Sequence, residues 1–282
     1  MKKILILFIM LFSVEVLAEG FFAVPYMNAP KIDGIIEETE WQCASCVAGF
    51  HKKGSKYLDS AKSFVYIGYD ENNLYVAYKF YGDEKPVGLE NDPDGDYWMD
   101  DALEFVISKD EKKHIWNQFI INWCGGFVAY SNDPETAGGN TVGDTFGTRI
   151  DINKKSACYI SPAFDDPGSK EEKFWSGEIS VSWNSFGMKP KAGDNIRILA
   201  CRDRVIGGKD VITTSISYIT LSTFEMDRYF RTVFTDSEPS VQMIDRKYPG
   251  NSLKFYNPTN NRKTLTVTNT ITKGDKNISK TI

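Results

Sequence analysis

Apolar and polar residues alternate over short stretches along most of the chain, as expected for half-buried β-strands. Residues 178–183 alternate completely between polar and large apolar side chains. Residues 63–69 and 74–80 are rich in aromatic and β-branched residues, and the segment 70–73 between them reads Asp-Glu-Asn-Asn. Because Asp and Asn favour turns, these two stretches are predicted to form a β-hairpin.

Similar strand-like stretches recur along the chain, most of them separated by clusters of Gly, Asn, Asp and Pro. They lie at residues 102–107, 116–123, 157–161, 174–183, 196–202, 212–220 and 229–234. Residues 119–121 are apolar without alternation, which indicates a strand covered on both faces. The best helical candidate is a single turn at residues 183–188. Many spaced strands with few helices predict an all-β fold, either a sandwich or a barrel.

The first 18 residues have the pattern of a secretory signal peptide. Lys2 and Lys3 precede an apolar run at residues 4–14, and small residues precede the expected cleavage after Ala18. The run is short for a bilayer span, and polar sequence follows it at once. We therefore expect a secreted, periplasmic or cell-surface protein with no membrane span after cleavage.

The sequence changes character near residues 235–240. Two further predicted strands follow, at residues 252–256 and 265–271, with Asn257-Pro258 as a turn. Two strands alone are only marginally stable in water. The predicted organisation is a β-sandwich at residues 19–236, followed at residues 237–282 by a linker and either an incomplete second β domain, which is favoured, or a packed C-terminal hairpin.

The charge balance argues against a nucleic-acid partner. The chain has 33 Lys and Arg residues against 38 Asp and Glu residues, a net charge of −5. Binding of nucleic acid requires clustered positive charge. A mildly acidic chain fits better with a neutral ligand.

The cysteine pattern leaves two readings open for Cys43-x-x-Cys46. The spacing fits a local disulfide in an oxidising compartment or half of a metal site. No second Cys pair or His pair stands nearby, since the only histidines are His51 and His114. Zinc is therefore disfavoured, and the odd total of five cysteines leaves at least one outside any internal disulfide.

Four sequence blocks resemble family 9 carbohydrate-binding modules, within the DOMON-like β-sandwich superfamily. They occur in order across about residues 24–236: residues 29–34 with Glu40-Trp41, residues 69–76, Trp98-x-x-Asp101-x-x-Glu104-Phe105, and residues 175–179. The resemblance implies an antiparallel β-sandwich with a sugar-binding slot, often with bound calcium. It also implies a noncatalytic protein that binds an oligosaccharide or polysaccharide.

The resemblance assigns roles to individual residues. Trp98 corresponds to the first of two aromatic residues that clamp a sugar, Glu104 to a carboxylate that binds hydroxyls, and Asn122 to a polar contact on the neighbouring strand. An aromatic face covers the C–H surface of a sugar, while carboxylate and amide groups satisfy its hydroxyls. Arg202 matches an arginine at the end of a strand. The alternatives are a Trp98 packed beneath a loop, a Glu104 pointing to solvent and an Arg202 in a structural ion pair.

Two departures from the family pattern put the slot in doubt. Ile120 stands where the family has an arginine, and residues 215–229 contain no second clamp tryptophan. Tyr218, Phe224 and Tyr229 are the nearby aromatic residues that could substitute. The identity of the sugar therefore does not carry over from the family.

The loop motif Asp92-x-Asp94-x-Asp96 offers carboxylate oxygens to a structural calcium ion. The twelfth position counted from Asp92 is Leu103, where an EF-hand requires a bidentate Glu. A solvated acidic turn is the alternative interpretation. No cofactor is required by either interpretation.

The sequence predicts no catalysis, because it contains no nucleophile elbow, zinc-protease helix or phosphate-binding loop. The leading hypothesis is an exported noncatalytic carbohydrate-binding module that targets a larger protein to polysaccharide. A structural or protein-interaction sandwich that has lost the sugar slot is the second hypothesis. Haem ligation by Met99 and His114 is a weaker third, since no paired-ligand pattern is present. An exposed Trp98 ring in a cleft would favour the first hypothesis, and a buried ring the second.

Overall fold

The computed structural model describes residues 21–88, 95, 97–110, 114–137, 147–236, 243–244, 268–273 and 276–281. The predicted signal peptide at residues 1–18 and the predicted strand at residues 252–256 lie outside these ranges. Among the residues described, no helix has the length and apolar character needed to cross a membrane.

Nearly all regular structure in these ranges is β-strand, with one short helix, α1 (Glu38–Trp41). The strands are β1 (Phe21–Pro25), β2 (Ser45–Ala48), β3 (His51–Lys52), β4 (Ser63–Tyr69), β5 (Asn73–Tyr81), β6 (Ala102–Asp110), β7 (Ile115–Asn122), β8 (Phe127–Ser131), β9 (Thr148–Arg149), β10 (Lys154–Ile160), β11 (Phe174–Ser182), β12 (Asn195–Ile206), β13 (Asp210–Ser215), β14 (Phe230–Thr235), β15 (Met243–Ile244), β16 (Thr268–Lys273) and β17 (Lys276–Thr281). Single turns of 3-10 helix lie at Tyr97–Met99, Pro162–Phe164, Trp183–Phe186 and Met226–Arg228.

The strands form two large sheets and one separate hairpin. The first sheet has the order β1-β14-β12-β6-β7-β8-β9, with β13 paired to β12 and β3 paired to β13. The second has the order β10-β11-β5-β4-β2-β15. Most pairs are antiparallel, and the exceptions in the described ranges are β1 with β14 and β2 with β15. The predicted antiparallel β-sandwich is confirmed.

The core lies between the two sheets. Side chains from the first sheet, such as Leu103, Phe105 and Phe119, belong to one buried cluster with Val65 and Tyr78 from the second. Successive side chains of a strand point to opposite faces. The residues that alternate with this core set therefore lie on the outer face of the first sheet.

The predicted hairpin at residues 63–80 is present as β4 and β5, with Tyr69 paired to Leu74 across the turn. The predicted turn at residues 183–188 is the 3-10 helix Trp183–Phe186, which ends at Gly187 with φ +57°. The prediction for residues 119–121 is also confirmed. Phe119 and Ile121 lie in the main core, whereas Ile120 is buried in a second cluster with Tyr97 and Val128.

Some boundaries and short strands differ from the prediction. The strand predicted at residues 212–220 ends at Ser215, although the Ile216 N–H still donates to the carbonyl of Ala200. Strands β1, β2, β3, β8, β9, β15 and β17 were not predicted. All seven have six residues or fewer, and short strands carry few positions to show a period. At the C-terminal end, β16 and β17 pair as a hairpin that overlaps the strand predicted at residues 265–271.

No disulfide joins any of the five cysteines, all of which lie in the described ranges. Cys46 is a buried residue of β2, and Cys43 precedes it in a partly buried turn. This arrangement supports neither the metal-site hypothesis nor the disulfide hypothesis for Cys43-x-x-Cys46.

Candidate functional site

A cleft of about 630 Å³ opens on the outer face of the first sheet. The Tyr97–Met99 turn contributes Trp98 and Met99, and the loop at residues 221–224 contributes another wall. Strands β6, β7, β8, β12 and β13 supply the floor. A cleft of this volume is in the range used for small organic ligands.

Trp98 is 40% exposed and lines the cleft. Its neighbours in the chain hold the backbone in place. Tyr97 is buried, and the Asp101 carboxylate accepts a hydrogen bond from the Val87 backbone N–H at 2.9 Å. Burial raises the pKa of Asp101 to about 6, although the Val87 hydrogen bond and the charge of Arg202 act to lower it. The turn is thus anchored on both sides of an indole that remains open to solvent.

Glu104 and Asp203 lie side by side in the floor of the cleft. Glu104 is 6% exposed and Asp203 is 1% exposed. The register pairs Glu104 with Cys201 and Asp203 with Ala102 on the adjacent strands β6 and β12, so the two carboxyls are diagonal neighbours on one face. Both groups are acceptors when ionised, so their close approach in a buried position favours a proton held between them.

Burial raises the pKa of both carboxyls, and the charge of Glu104 raises the pKa of Asp203 further. Gln118 Nε2 donates to Glu104 Oε2 at 2.9 Å, and Thr213 Oγ1 donates to Asp203 Oδ1 at 2.6 Å. The exposed Lys53 also lines the cleft, and its ammonium opposes both shifts. The floor therefore combines a shared-proton acid pair with fixed neutral hydrogen-bonding groups.

Most of the remaining surface of the cleft is apolar, and Ser222 and Thr223 add polar groups to it. Ile120 and Tyr130 come from β7 and β8, and Leu221, at 85% exposure, stands at the rim. Phe224 lines the cleft and packs on Trp116, with ring centroids 4.4 Å apart at 30°. Phe224 is thus the aromatic residue of the 215–229 segment that shares the cleft with Trp98.

The carboxylate of Glu225 organises the 221–224 wall. It accepts hydrogen bonds from the backbone N–H groups of Thr220, Leu221 and Ser222, and from the Thr220 hydroxyl. Arg228 Nε pairs with it at 2.8 Å. Burial alone would raise the pKa of Glu225, but these hydrogen bonds outweigh burial and lower it to about 2.

Three of the sequence-predicted site residues lie away from the cleft lining. Asn122 is fully buried, donates to Asp100 Oδ2 at 3.2 Å and accepts from the Gly126 N–H at 2.7 Å, so its amide holds the β7–β8 connection. Tyr218 is half-buried and packs against His51 and the guanidinium of Arg228. Neither residue is part of the cleft surface.

Arg202 points away from the cleft, into the space between the sheets. It donates to the Tyr81 carbonyl at 2.9 Å and to Ser63 Oγ at 3.1 Å, and its guanidinium lies 5.0 Å from the centre of the Phe80 ring. Burial lowers its pKa to about 10. This placement agrees with a structural role for Arg202, the alternative given in the sequence analysis. Its hydrogen-bond acceptors are a carbonyl and a hydroxyl, however, whereas the alternative was an ion pair with a carboxylate.

The residues that sequence reasoning missed are Asp203, Lys53 and Thr213. Asp203 directly follows Arg202, the last residue of the strand predicted at residues 196–202, and in a strand continued by one residue the two side chains face opposite sides. That signal was available in the sequence. Which of the two residues faces the cleft depends on the pairing of β12 with β6, and the sequence does not show that pairing.

The predicted calcium ligands Asp92, Asp94 and Asp96 lie outside the described residues. Within the part of the chain that is described, no group of three or more His, Cys, Asp or Glu side chains is arranged to hold a metal ion. Calcium therefore stays a prediction from the sequence.

Comparison of the chain with protein-family models finds no matching family, and comparison with curated proteins finds no matching protein. Solved structures do match. A family 9 carbohydrate-binding module from Caldicellulosiruptor kristjanssonii in complex with cellotriose superposes with a TM-score of 0.54 at 12% identity, covering 77% of this chain and 94% of that one. A family 9 module from Caldicellulosiruptor kristjanssonii in complex with glucose superposes with a TM-score of 0.53 at 11% identity. The match covers 78% of this chain and 98% of that one.

A candidate carbohydrate-binding protein from Bacteroides uniformis also matches, with a TM-score of 0.53 at 12% identity over 76% of this chain and 99% of that one. These three likenesses bear on the fold, since the sequence identities are low. The chain has the β-sandwich fold of family 9 carbohydrate-binding modules.

Proposed function

We propose that this protein is an exported, noncatalytic carbohydrate-binding module that uses the cleft beside Trp98. The observation that carries the proposal is an indole 40% exposed beside a floor of buried hydrogen-bonding groups. An aromatic face packs on the C–H surface of a sugar ring. The fold agrees with this proposal, because solved modules with the same fold are complexes with cellotriose and glucose.

The floor supplies the polar half of such a site. Gln118 and Thr213 already hold the Glu104 and Asp203 carboxyls in fixed positions. Side chains held in this way lose little conformational freedom when a ligand binds, which favours affinity. Glu104 therefore keeps the role predicted from the sequence, and Asp203 joins it as a second acceptor or, when protonated, as a donor.

The second candidate function is a protein-interaction domain. The apolar rim favours it, since Leu221 is almost fully exposed and Met99 is also exposed beside Trp98. Ile120, which stands where the family resemblance places an arginine, adds apolar surface to the cleft. A protein partner would cover these side chains, and Trp98 would then contribute to protein binding instead of sugar binding.

Affinity electrophoresis and titration calorimetry with a panel of soluble polysaccharides and oligosaccharides test the proposal. We expect at least one glycan to bind, and Trp98→Ala to weaken that binding about 5-fold or more, since stacking on an aromatic ring supplies on the order of 1 kcal/mol or more. Tyr57→Ala is the matched control, because Tyr57 is 66% exposed and lies outside the cleft. This control is expected to bind as the wild type does.

Absence of binding to every glycan, or equal loss in the Trp98→Ala and Tyr57→Ala variants, would refute the sugar proposal. Chromatography of the bound oligosaccharide after prolonged incubation tests the noncatalytic part, with an unchanged chain length expected. Export is tested by sequencing the N-terminus of the protein recovered outside the cytoplasm, which is expected to begin at Glu19.

A further inference from the structure

The acid pair in the cleft floor has an unfilled hydrogen-bonding position. Asp203 Oδ2 is buried and accepts no hydrogen bond from any N–H or O–H donor of the described residues. The neighbouring carboxyl of Glu104 cannot fill this position as a donor unless it carries a proton. Both residues line the cleft, so the acid pair forms part of its floor.

Among the described residues, the groups around the pair do not supply a second positive charge. Gln118 and Thr213 are neutral, and the other ionisable groups near the pair are Cys201 and Tyr229, which are buried and have raised pKa values because burial disfavours their charged forms. Lys53 is the single cationic side chain among the described residues that line the cleft. Two carboxyl groups therefore face a single ammonium group, and a proton held by the pair neutralises the second negative charge.

Arg202 does not add a positive charge beside the acid pair, although it is next to Asp203 in the chain. Its guanidinium is directed to Tyr81 and Ser63 on the second sheet. Its charged neighbours are Arg204, Asp101 and Asp59, not the acid pair. In the described part of the chain, the cleft is thus the side from which a cation would meet the pair.

We propose that the cleft selects sugars that carry a protonated amine, whose ammonium group takes the place of the proton shared by Glu104 and Asp203. This inference rests on the proposed function, because the rest of the sugar is bound by Trp98 and the floor.

The exchange balances in protons and charge and involves no covalent bond to the sugar. Before binding, the pair holds one proton and carries one negative charge. On binding, the shared proton leaves to the buffer, and the ligand's N–H groups donate to the two carboxylates. Charge-assisted hydrogen bonds of this kind are roughly twice as strong as neutral ones. An anionic sugar, such as a uronic acid, would meet the pair's negative charge and is disfavoured.

Calorimetric titration of the purified chain with three matched oligosaccharide series tests the inference. The series are chitosan oligosaccharides with free amines, their N-acetylated counterparts, and cello-oligosaccharides with a hydroxyl at the same position. Titrations are run at mildly acidic pH, in two buffers of different ionisation enthalpy. We expect the free amine to bind about 10-fold more tightly than either neutral series. We also expect release of up to one proton per bound amine, and release of none by the neutral sugars.

Asp203→Asn tests the role of the acid pair, because the amide keeps the shape and removes the exchangeable acid. The ratio of amine to neutral affinity is expected to fall to about one, and proton release is expected to disappear. Glu104→Gln makes the same test if Asp203→Asn does not fold. Asp210→Asn, an exposed position of β13 outside the cleft lining, is the control and should keep the wild-type ratio.

The outcomes separate this inference from the proposed function. Equal binding of the amine and the neutral sugars, or tighter amine binding with no proton release, overturns the inference and leaves the sugar-binding function standing. Binding of no oligosaccharide in any series overturns the proposed function and the inference with it. Amine selectivity with proton release, both lost in Asp203→Asn, supports the inference.

Discussion

At the scale of single residues, the Glu178 carboxylate connects three parts of the chain. It accepts hydrogen bonds from the backbone N–H groups of Asp33 and Gly34 at 2.9 and 2.8 Å, and from Trp41 Nε1 at 2.7 Å. The neighbouring Ser176 hydroxyl donates to the Gly34 carbonyl at 2.7 Å. The first and last of the sequence blocks that resemble the family are thus bonded to each other.

The sequence blocks could be recognised without showing why these residues occur in them. Glu178 and Gly34 are 144 positions apart, and no local pattern indicates that they meet. Gly34 has φ +88°, and an added Cβ would lie 2.6 Å from the backbone of Cys158. The requirement for glycine is therefore set by a tertiary contact, which is outside the reach of strand periodicity.

Glu178→Ala is expected to lower the free energy of unfolding by about 3 kcal/mol, because it leaves three donors without their charged acceptor. Glu178→Gln is expected to lose less, since one amide oxygen can still accept. Urea denaturation followed by tryptophan fluorescence measures both changes. Glu171→Ala, at an exposed loop position, is the control and should stay within about 0.5 kcal/mol of the wild type. A Glu178→Ala variant as stable as this control would contradict the structural role.

At the scale of elements, the cleft is built from parts of unequal rigidity. Strands β6, β7 and β12 place the Glu104 and Asp203 pair through continuous ladder pairing. The 221–224 wall has no ladder partners in the described residues and depends on the hydrogen bonds to Glu225. The sequence predicted the strands by their period. It gave no comparable sign that Glu225 shapes the wall, because a carboxylate that accepts backbone N–H groups leaves no periodic pattern.

The Glu225 contacts predict a pH dependence with a defined sign. The folded pKa of about 2 lies below the ordinary value of 4.5, so the ionised carboxylate stabilises the fold above about pH 4.5. This contribution is lost as the pH falls from about 4.5 towards 2. The difference in urea midpoint between the wild type and Glu225→Gln is therefore expected to be largest near neutral pH and to shrink across that window.

Parallel urea titrations from neutral to acidic pH measure this difference, with Glu171→Gln as a control that should show none of it. Because Leu221 and Phe224 belong to the wall, Glu225→Gln is also expected to weaken glycan binding at neutral pH. A midpoint difference that grows on acidification would contradict the assigned hydrogen bonds.

At the scale of the whole molecule, the class of fold could be predicted but the order of the strands could not. Alternation and turn residues predicted most of the long strands, such as β4, β5, β6 and β11. Strand order depends on distant pairings, for example β6 between β12 and β7, or β1 parallel to β14. These pairings decide which face of a strand is covered. They explain why Glu104 lines the cleft, whereas the side chains of Asn122 and Arg202 bond to the framework instead.

Substitution of Arg202 can distinguish a structural role of this side chain from a ligand-binding role. Its guanidinium reaches from β12 across the sandwich to the Tyr81 carbonyl and Ser63 Oγ and stacks over Phe80, so it joins the two sheets. Removing it leaves buried acceptors unsatisfied and opens space beside an aromatic ring. Arg202→Ala is therefore expected to lower the free energy of unfolding by about 3 kcal/mol, with a smaller loss for Arg202→Lys, which keeps the charge without the planar fork.

The expectation for binding is the opposite. At a temperature at which both variants are folded, their affinity for the glycan that the wild type binds should stay within about twofold, because the side chain points away from the cleft. Lys155→Ala, an exposed position of β10, controls for loss of a positive charge and should change neither property. Loss of binding by a folded Arg202→Lys variant would restore Arg202 to the ligand-binding role predicted from the sequence. Loss of stability with binding intact would show that an arginine at the end of this strand serves the junction of the two sheets.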